Sequence, residues 1–232
     1  MKTIGMLGGM SWESTALYYR AINELVREQL GGLHSAKIVL HSVDFEEIES
    51  LQRAGDWPRA GEILGEAARG LELAGADFLL ICTNTMHLVA PQVSEYIQIP
   101  LLHLADATAT RLREAGISKV GLLGTAYTME QAFYKERIEA TGIEVVVPDA
   151  AGRAEVNRII FTELCLGQVN DDSRAIYLNE IDNMRAQGVE GVIEGCTEIT
   201  MLIQPQHTNM PLFDTTAIHA EEAVKLALSN CL

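Results

Sequence analysis

The chain contains the sequence AGADFLLICT at residues 74–83 and a related sequence, QGVEGVIEGC, at residues 187–196. In both, a glycine that ends a predicted helix precedes an apolar run typical of a buried strand. The two copies are 113 residues apart, from Gly75 to Gly188. A second related pair, IGMLG at residues 4–8 and VGLLG at residues 120–124, is 116 residues apart. The sequence therefore predicts two similar halves.

Strands and helices alternate along the whole chain of 232 residues. Helices are predicted over about residues 14–29 and 57–74 and between the later strands. The predicted strands are residues 3–7, 37–43, 77–81, 100–104, 119–123, 144–147, 189–193 and 211–213. Continuous apolar strands between helices are typical of parallel sheets buried on both faces. We therefore predict an α/β fold of two similar three-layer halves, related by a pseudo-two-fold axis, with a ligand site between them.

The repeat also predicts the domain boundaries. The first α/β domain is expected to comprise residues 1–105 plus 211–232, and the second residues 106–210, because the last strand and helix are expected to return to the first half. The chain has six prolines and no tract rich in serine and glycine, so we predict no flexible linker.

The composition excludes several classes of function. There are 17 basic and 32 acidic residues, a formal net charge of −15, which argues against nucleic acid or an anionic membrane surface as a partner. No run of 18 apolar residues is present, and the N-terminal residues are not those expected of a signal peptide. The four cysteines form no CxxC pair and no zinc spacing. We expect a cytoplasmic protein with reduced thiols.

Thr83 and Cys196 occupy equivalent positions in the repeat, each just past the carboxyl end of a predicted strand. Ligands of α/β sheets bind at these ends, so we expect the two residues to flank one ligand. Cys82 aligns with Gly195 and, because successive strand residues point to opposite faces, is expected to face away from the ligand.

Acid/base groups on opposite faces of a carbon atom can invert its configuration. Cys196 is suited to remove a proton if its pKa is lowered, and a helix predicted to start at Cys196-Thr197-Glu198 would lower that pKa. The same helix start offers backbone N–H groups to a carboxylate. Thr83, Asn84 and Thr85 add hydroxyl and amide donors.

Four motifs resemble the aspartate/glutamate racemase family. They are GGMSWEST at residues 8–15, CTNTMH at 82–87, GCTE at 195–198 and FDTTAIH at 213–219. The resemblance covers essentially the whole chain. It implies two α/β domains with the site between them, a homodimer, and two-base racemisation of a small amino acid, aspartate or glutamate, without pyridoxal phosphate, metal or other cofactor.

The chain departs from the family pattern at the first catalytic position. The family usually has a cysteine directly before the asparagine, whereas this chain has Thr83 there; Cys196 matches the second catalytic cysteine. A threonine alkoxide is inaccessible at neutral pH. We therefore predict Cys196 as the main base, Thr83 as the group that returns a proton from the opposite side, and a kinetic preference for the L-enantiomer as substrate.

A second departure concerns the distal carboxylate of the substrate. Family members often have basic side chains near the positions of Gln52 and Cys165, and neither residue is basic; Arg53, beside Gln52, could reach in. The longer chain of glutamate is therefore compatible with the site. The predicted substrate-binding residues are Met10, Gln52, Asn84, Thr85, Thr197 and Glu198. His219 is a candidate partner of Cys196. Glu194 is a charge in an apolar strand, and it either faces the cleft or lies at a sheet edge.

Other interpretations remain open. Met10 and Cys165 could be core residues, Asn84 and Thr85 could cap a helix, and Cys231 could have no role. The chain could be a single-cysteine decarboxylase or isomerase of the same superfamily. It could also be a non-catalytic amino-acid-binding protein whose first base has been lost.

Overall fold

The computed structural model describes residues 1–229 and contains two β-sheets in which all strand pairs are parallel. The strands are β1 (Ile4–Gly8), β2 (Ile38–Ser42), β3 (Phe78–Ile81), β4 (Lys119–Gly124), β5 (Glu144–Val146), β6 (Gly191–Gly195) and β7 (Leu212–Asp214). The first sheet has the order β2-β1-β3 and the second the order β5-β4-β6-β7. The predicted fold class, two α/β halves with parallel sheets, is confirmed.

Helices connect the strands. They are α1 (Trp12–Leu30), α2 (Phe45–Ala54), α3 (Trp57–Leu73), α4 (Ala90–Ser94), α5 (Leu104–Glu114), α6 (Ala126–Glu130), α7 (Ala132–Glu139), α8 (Ala150–Thr162), α9 (Asp171–Ala186), α10 (Ile199–Leu202) and α11 (Thr215–Leu228). Two short 3-10 helices are Thr85–Val89 and Leu164–Leu166. The helix α2 was not predicted, although Asp44 caps it by accepting from the N–H of Glu46.

The two halves repeat strand for strand. In the first sheet Met6 pairs with Leu80 and Leu7 with Ile81; in the second, Leu122 pairs with Ile193 and Leu123 with Glu194. The predicted strand at residues 100–104 is reduced to one parallel bridge, Leu79 to Leu101. This bridge occupies the place that β7 takes beside β6.

The chain divides into two compact units. One comprises Met1–Leu104 together with the segment from His219 onward, and the other comprises Ala105–Ile218. The last strand was predicted to return to the first half, and this is wrong: β7 pairs with β6, through Val192 with Leu212 and Ile193 with Phe213. The crossing to the first unit occurs within α11, after its first turn.

The first sheet is covered on both faces. On one face the side chains of Leu79 and Ile81 join a hydrophobic cluster with α3 and α4. On the other face Leu80 and Cys82 join a cluster with α1 and with Ala220, Ala223 and Val224 of α11. The alternation fixes the direction of every β3 side chain, because a shift of one residue would exchange the two faces.

The second sheet is also covered on both faces. A side chain at Gly121 would meet Met184 of α9 on one face, whereas a side chain at Gly124 would meet Thr128 of α6 on the other.

Among residues 1–229, no helix has both the length and the apolar character needed to cross a membrane.

Candidate active site

The glycine loop after β1 brings the start of α1 against the end of β3. Gly9 has φ +94°, and a Cβ there would lie 2.3 Å from the Val43 carbonyl oxygen, so the position requires glycine. Its N–H donates to Thr15 Oγ1 at 2.9 Å, and the Ser14 hydroxyl donates to the Cys82 carbonyl at 3.0 Å. These bonds fix the backbone immediately before Thr83.

The thiol of Cys82 is part of the core. It is fully buried in the cluster between the first sheet, α1 and α11. Burial raises its pKa far above the usual range. The adjacent residue Thr83 is partly exposed, so the structure agrees with the expectation that Cys82 and Thr83 point in different directions.

Residues 83–87 form a tight polar turn after β3. Asn84 is buried and Thr85 is partly buried at the start of the 3-10 helix. Asn84 is the N-cap residue of this helix, as the alternative interpretation has it, but its side chain makes no capping hydrogen bond. The N–H of His87 donates to the Asn84 carbonyl at 3.1 Å and closes the turn.

The predicted binding residues Gln52 and Met10 lie near this turn. Gln52 Nε2 donates to Met86 Sδ at 2.8 Å, so α2 places its amide beside residues 83–87. The Met10 side chain is buried in the same cluster as Met86, and only its backbone is left for the predicted contact with substrate. Arg53 is exposed, and its guanidinium forms an ion pair with Glu49 at 2.8 Å. This ion pair gives Arg53 a partner other than the substrate.

Cys196 and Glu198 are joined after β6. The Cys196 Sγ donates to Glu198 Oε2 at 2.9 Å, and the Thr197 hydroxyl donates to the same oxygen at 2.8 Å. Cys196 and Glu198 are partly buried. The thiol of Cys196 therefore already has a proton acceptor, the carboxylate of Glu198.

The expected effect of a helix on Cys196 is wrong. Helix α10 begins at Ile199 and has four residues, too few for a strong dipole. Burial, followed by the charge and hydrogen bond of Glu198, raises the pKa of Cys196 well above its usual value. In this state Cys196 is a protonated thiol. The carboxylate of Glu198 accepts from the side chains of Cys196 and Thr197 and makes no capping hydrogen bond to α10.

Sequence reasoning missed Tyr177, a neighbour of Cys196. Tyr177 is fully buried in α9 and donates to the Val156 carbonyl at 3.0 Å. Burial and then electrostatic interactions with Cys196, Glu163 and Cys165 raise its pKa. Cys165 is exposed, so its interpretation as a core residue is wrong. No local pattern marks a tyrosine in an amphipathic helix as a site residue.

Glu194 lies inside the second sheet. Its strand β6 runs between β4 and β7, so the reading of Glu194 as a sheet-edge residue is wrong. It is 4% exposed and is the register partner of Asp214. Burial and the carboxyl of Asp214 raise the pKa of Glu194 to about 8. Within residues 1–229, Glu194 Oε1 and Thr216 Oγ1 are buried without hydrogen-bond partners.

His219 has a role in the core of the first unit. Its Nδ1 accepts from the Tyr18 hydroxyl at 2.9 Å and its Nε2 donates to the Leu102 carbonyl at 2.8 Å. Burial and the neighbouring His87 lower the pKa of His219 to about 3. Both ring nitrogens are occupied by these partners, which argues against the predicted action on Cys196. Cys231 lies outside the described residues.

The predicted residues fall into two sets. Met10, Gln52, Thr83, Asn84 and Thr85 belong to the first unit, and Cys196, Thr197 and Glu198 belong to the second. Thr83, Asn84 and Thr85 follow the carboxyl end of β3, and the second set follows that of β6. Met10 follows β1, and Gln52 lies in α2. Among residues 1–229, no group of three or more His, Cys, Asp or Glu side chains is arranged to hold a metal ion.

Comparison with known proteins agrees with this arrangement. The family model for Asp/Glu/hydantoin racemases matches residues 7–223. A broad specificity amino-acid racemase of Bacillus subtilis is 22% identical over 231 residues, covering 97% of this chain and 98% of the relative.

Two crystal structures extend the likeness. A Yersinia pestis protein assigned to the Asp/Glu racemases is 56% identical, with a TM-score of 0.94 over 98% of this chain and 100% of the other. An aspartate racemase homologue from Pyrococcus horikoshii is 36% identical, with a TM-score of 0.87 over 98% and 99% of the two chains.

The two parallel-sheet units and these relatives define an enzyme of the isomerase class. The chain belongs to the Asp/Glu/hydantoin racemase family, whose model spans nearly all of it.

Proposed function

We propose that the protein racemises aspartate or glutamate by moving a proton at Cα, with Cys196 and Thr83 on opposite sides of the substrate. The hydrogen bond from Cys196 Sγ to Glu198 Oε2, 2.9 Å long, carries the proposal. It supplies a thiol at a strand end with a base beside it. The equivalent positions of Thr83 and Cys196 in the two halves support the pairing.

In the proposed reaction, Glu198 first takes the thiol proton. The thiolate then removes the α-proton of the L-amino acid: the Cα–H bond breaks, an S–H bond forms, and the electron pair stays on Cα. The Thr83 hydroxyl protonates Cα from the other side while a water molecule donates a proton to Thr83 in the same step. The hydroxide that remains takes the proton from Glu198, so the site returns to its starting state. The raised pKa of Cys196 makes its thiolate strongly basic, as a weakly acidic Cα–H bond requires.

The two groups differ in acidity, and this supports the L-preference. Cys196 can form a thiolate because Glu198 accepts its proton, whereas Thr83 has no such acceptor among the described residues and does not form an alkoxide. Thr83 therefore cannot remove a proton from Cα, and it delivers one only with water donating to it in the same step. L to D turnover therefore starts with the stronger base. The equilibrium between the enantiomers remains 1:1.

The substrate is proposed to bind through neutral polar groups. Gln52 and Asn84 offer amide donors, Thr85 a hydroxyl, Met10 its backbone, and the N–H groups beside Thr197 receive a carboxylate. Glu198 is suited to contact the ammonium group. The aspartate and Asp/Glu racemases among the relatives support a dicarboxylic amino acid. No cofactor is required.

A homodimer and a cytoplasmic location belong to the same proposal. Trp12 and Tyr19 of α1 are 68% and 52% exposed, and such large apolar side chains are typical of contact surfaces. A reducing compartment would keep Cys196 as the free thiol that the reaction needs. Light scattering coupled to size-exclusion chromatography tests the dimer, and a mass of one chain contradicts it.

Proton NMR in deuterated buffer tests the reaction. L-glutamate and L-aspartate are each incubated with the enzyme, and the products are separated by chiral chromatography. We expect loss of the α-proton signal together with D product, and neither with the Cys196→Ser variant. Cys82→Ala is the matched control, because it removes a buried thiol outside the proposed site.

Each outcome of this experiment has a clear meaning. Activity of Cys82→Ala within about twofold of the parent enzyme supports Cys196 as the base. Loss of activity in Cys82→Ala, with Cys196→Ser active, reverses the assignment of the two cysteines. A folded parent enzyme that racemises neither amino acid overturns the proposal.

A further inference from the structure

The buried His87 links the Thr83 turn to the start of α5. The His87 side chain is 1% exposed. Its Nδ1 lies 2.8 Å from the Thr83 carbonyl oxygen, and its Nε2 lies 3.2 Å from the backbone nitrogen of Leu104. Leu104 is the first residue of α5, where backbone N–H groups lack partners within the helix. One imidazole ring therefore bridges two backbone segments.

These two contacts determine the protonation state of the ring. A carbonyl oxygen can only accept a hydrogen bond, so Nδ1 carries the proton. A backbone N–H can only donate, so Nε2 presents its lone pair. His87 is therefore the neutral Nδ1–H tautomer. Nδ1 donates to Thr83 and Nε2 accepts from Leu104, so substitutions can remove one hydrogen bond and keep the other.

Other side chains hold the ring in place. The His103 ring centroid lies 4.6 Å from that of His87, and the His219 centroid 5.8 Å. His219 is itself held by Tyr18 and the Leu102 carbonyl. The ring of His87 thus has little freedom, and its Nδ1–H is a fixed donor.

We propose that His87 is a positioning residue for the Thr83 hydroxyl. The His87 ring holds the Thr83 carbonyl and its backbone N–H holds the Asn84 carbonyl at 3.1 Å, so one residue fixes two successive peptide groups. The orientation of these groups sets the direction of the Thr83 side chain. The inference rests on the proposed function, because it assigns His87 to the step in which Thr83 delivers a proton.

The Cys196 turn is held differently. The residue equivalent to His87 is Thr200, whose hydroxyl donates to the Thr197 carbonyl at 2.8 Å. The Cys196 carbonyl accepts from the N–H of Ile199 at 3.1 Å. No imidazole acts on that turn within the described residues. Loss of the His87 contact is therefore expected to affect proton delivery by Thr83 and to spare proton removal by Cys196.

Two substitutions separate the functions of the ring. In His87→Asn the amide nitrogen stands near the place of Nδ1 and can still donate to the Thr83 carbonyl. In His87→Gln the longer side chain brings its amide oxygen near the place of Nε2, where it can accept from Leu104, and the Thr83 contact is lost. Both replacements are neutral and polar.

Two reactions of each variant are compared. Racemisation of L-aspartate needs both faces of the substrate. Elimination from L-serine O-sulfate needs only proton removal at Cα, since the electron pair then expels sulfate from Cβ; the resulting enamine hydrolyses to pyruvate and ammonia. We expect His87→Gln to lose about 100-fold in racemisation and less than threefold in elimination, and His87→Asn to lose less than about tenfold in each.

The other outcomes overturn the inference. They are unchanged racemisation by His87→Gln, a selective loss in His87→Asn, or a parallel loss of both reactions in both variants, which would mean a general structural role. Failure of the proposed function is distinguishable, because the parent enzyme would then racemise neither aspartate nor glutamate.

Discussion

The turns after β3 and β6 have the same place in their sheets but different chemical surroundings. Thr83 and Cys196 follow strands with matching register. The Thr83 turn is held by the neutral ring of His87, whereas Cys196 lies against the carboxylate of Glu198. The backbone repeat therefore sets where two reacting groups stand, and a few neighbouring side chains decide which of them takes a proton.

The largest expected effect comes from removing the Thr83 hydroxyl. Thr83→Val keeps the shape of the side chain, and we expect racemisation to fall by about 10² to 10⁴ because the proton donor is gone. Elimination from L-serine O-sulfate is expected to stay within about threefold of the parent rate, since Cys196 is intact. Racemisation at the parent rate would show that water or another group delivers the proton.

Glu198→Gln tests the carboxylate beside Cys196. We expect the rate constant for racemisation to fall about 100-fold because the acceptor of the thiol proton is lost. The pKa of Cys196 is expected to fall, because burial remains but the charge of Glu198 no longer raises it. Alkylation by iodoacetamide across a pH series, in a Cys165→Ser background, measures that pKa. An unchanged or higher pKa contradicts the role of Glu198.

Glu194 provides a contrast with Ile81, its counterpart in the first sheet. The pKa of Glu194 is about 8 in the folded protein against a usual value near 4.5, so the folded state holds the proton more tightly. Its contribution to stability is full below pH 4.5 and is lost as the pH rises through 8.

The matched variant is Glu194→Gln. Between about pH 5.5 and 7, the parent is expected to lose about 2 kcal/mol more unfolding free energy than this variant. Urea unfolding at both pH values provides the measurement. Parallel pH dependences of the two proteins would mean that Glu194 titrates normally.

The smallest expected effect makes the two turns more alike. In Thr83→Cys a thiol stands at both positions, and we expect at least a tenfold rise in kcat/KM for D-glutamate, measured as α-proton loss in deuterated buffer. Thr83→Ser, which retains a hydroxyl, is the control and should show no such rise. If Thr83→Cys gains nothing with the D-enantiomer, the alignment of Thr83 with a catalytic cysteine is wrong.

Much of the fold could be predicted because both copies of the repeat contain apolar runs typical of strands, with glycines at the ends of the preceding helices. The faces of β3 followed from alternation alone, as Leu80 and Cys82 show. The placement of β7 could not be predicted, since a three-residue strand carries no information about its neighbour.

The site shows the same limit. Sequence reasoning located Cys196 and Glu198, but the direction of the Cys196 pKa depends on burial and on the orientation of one carboxylate. Tyr177 reaches that neighbourhood through the packing of α9, which no local pattern encodes. His87 lies within the CTNTMH sequence at residues 82–87, but its two backbone partners depend on the tertiary structure.

The exchange of one helix between the two units determines whether the gene could be divided into two independently folding parts. The helix after the first sheet belongs to the second unit from Ala105, and the helix after the second sheet belongs to the first unit from His219. A gene divided after α5 would encode two fragments. The first would lack α11 and keep an unpacked α5, and the second would lack α5 and keep an unpacked α11. Such fragments should be insoluble when expressed singly and recover only when expressed together.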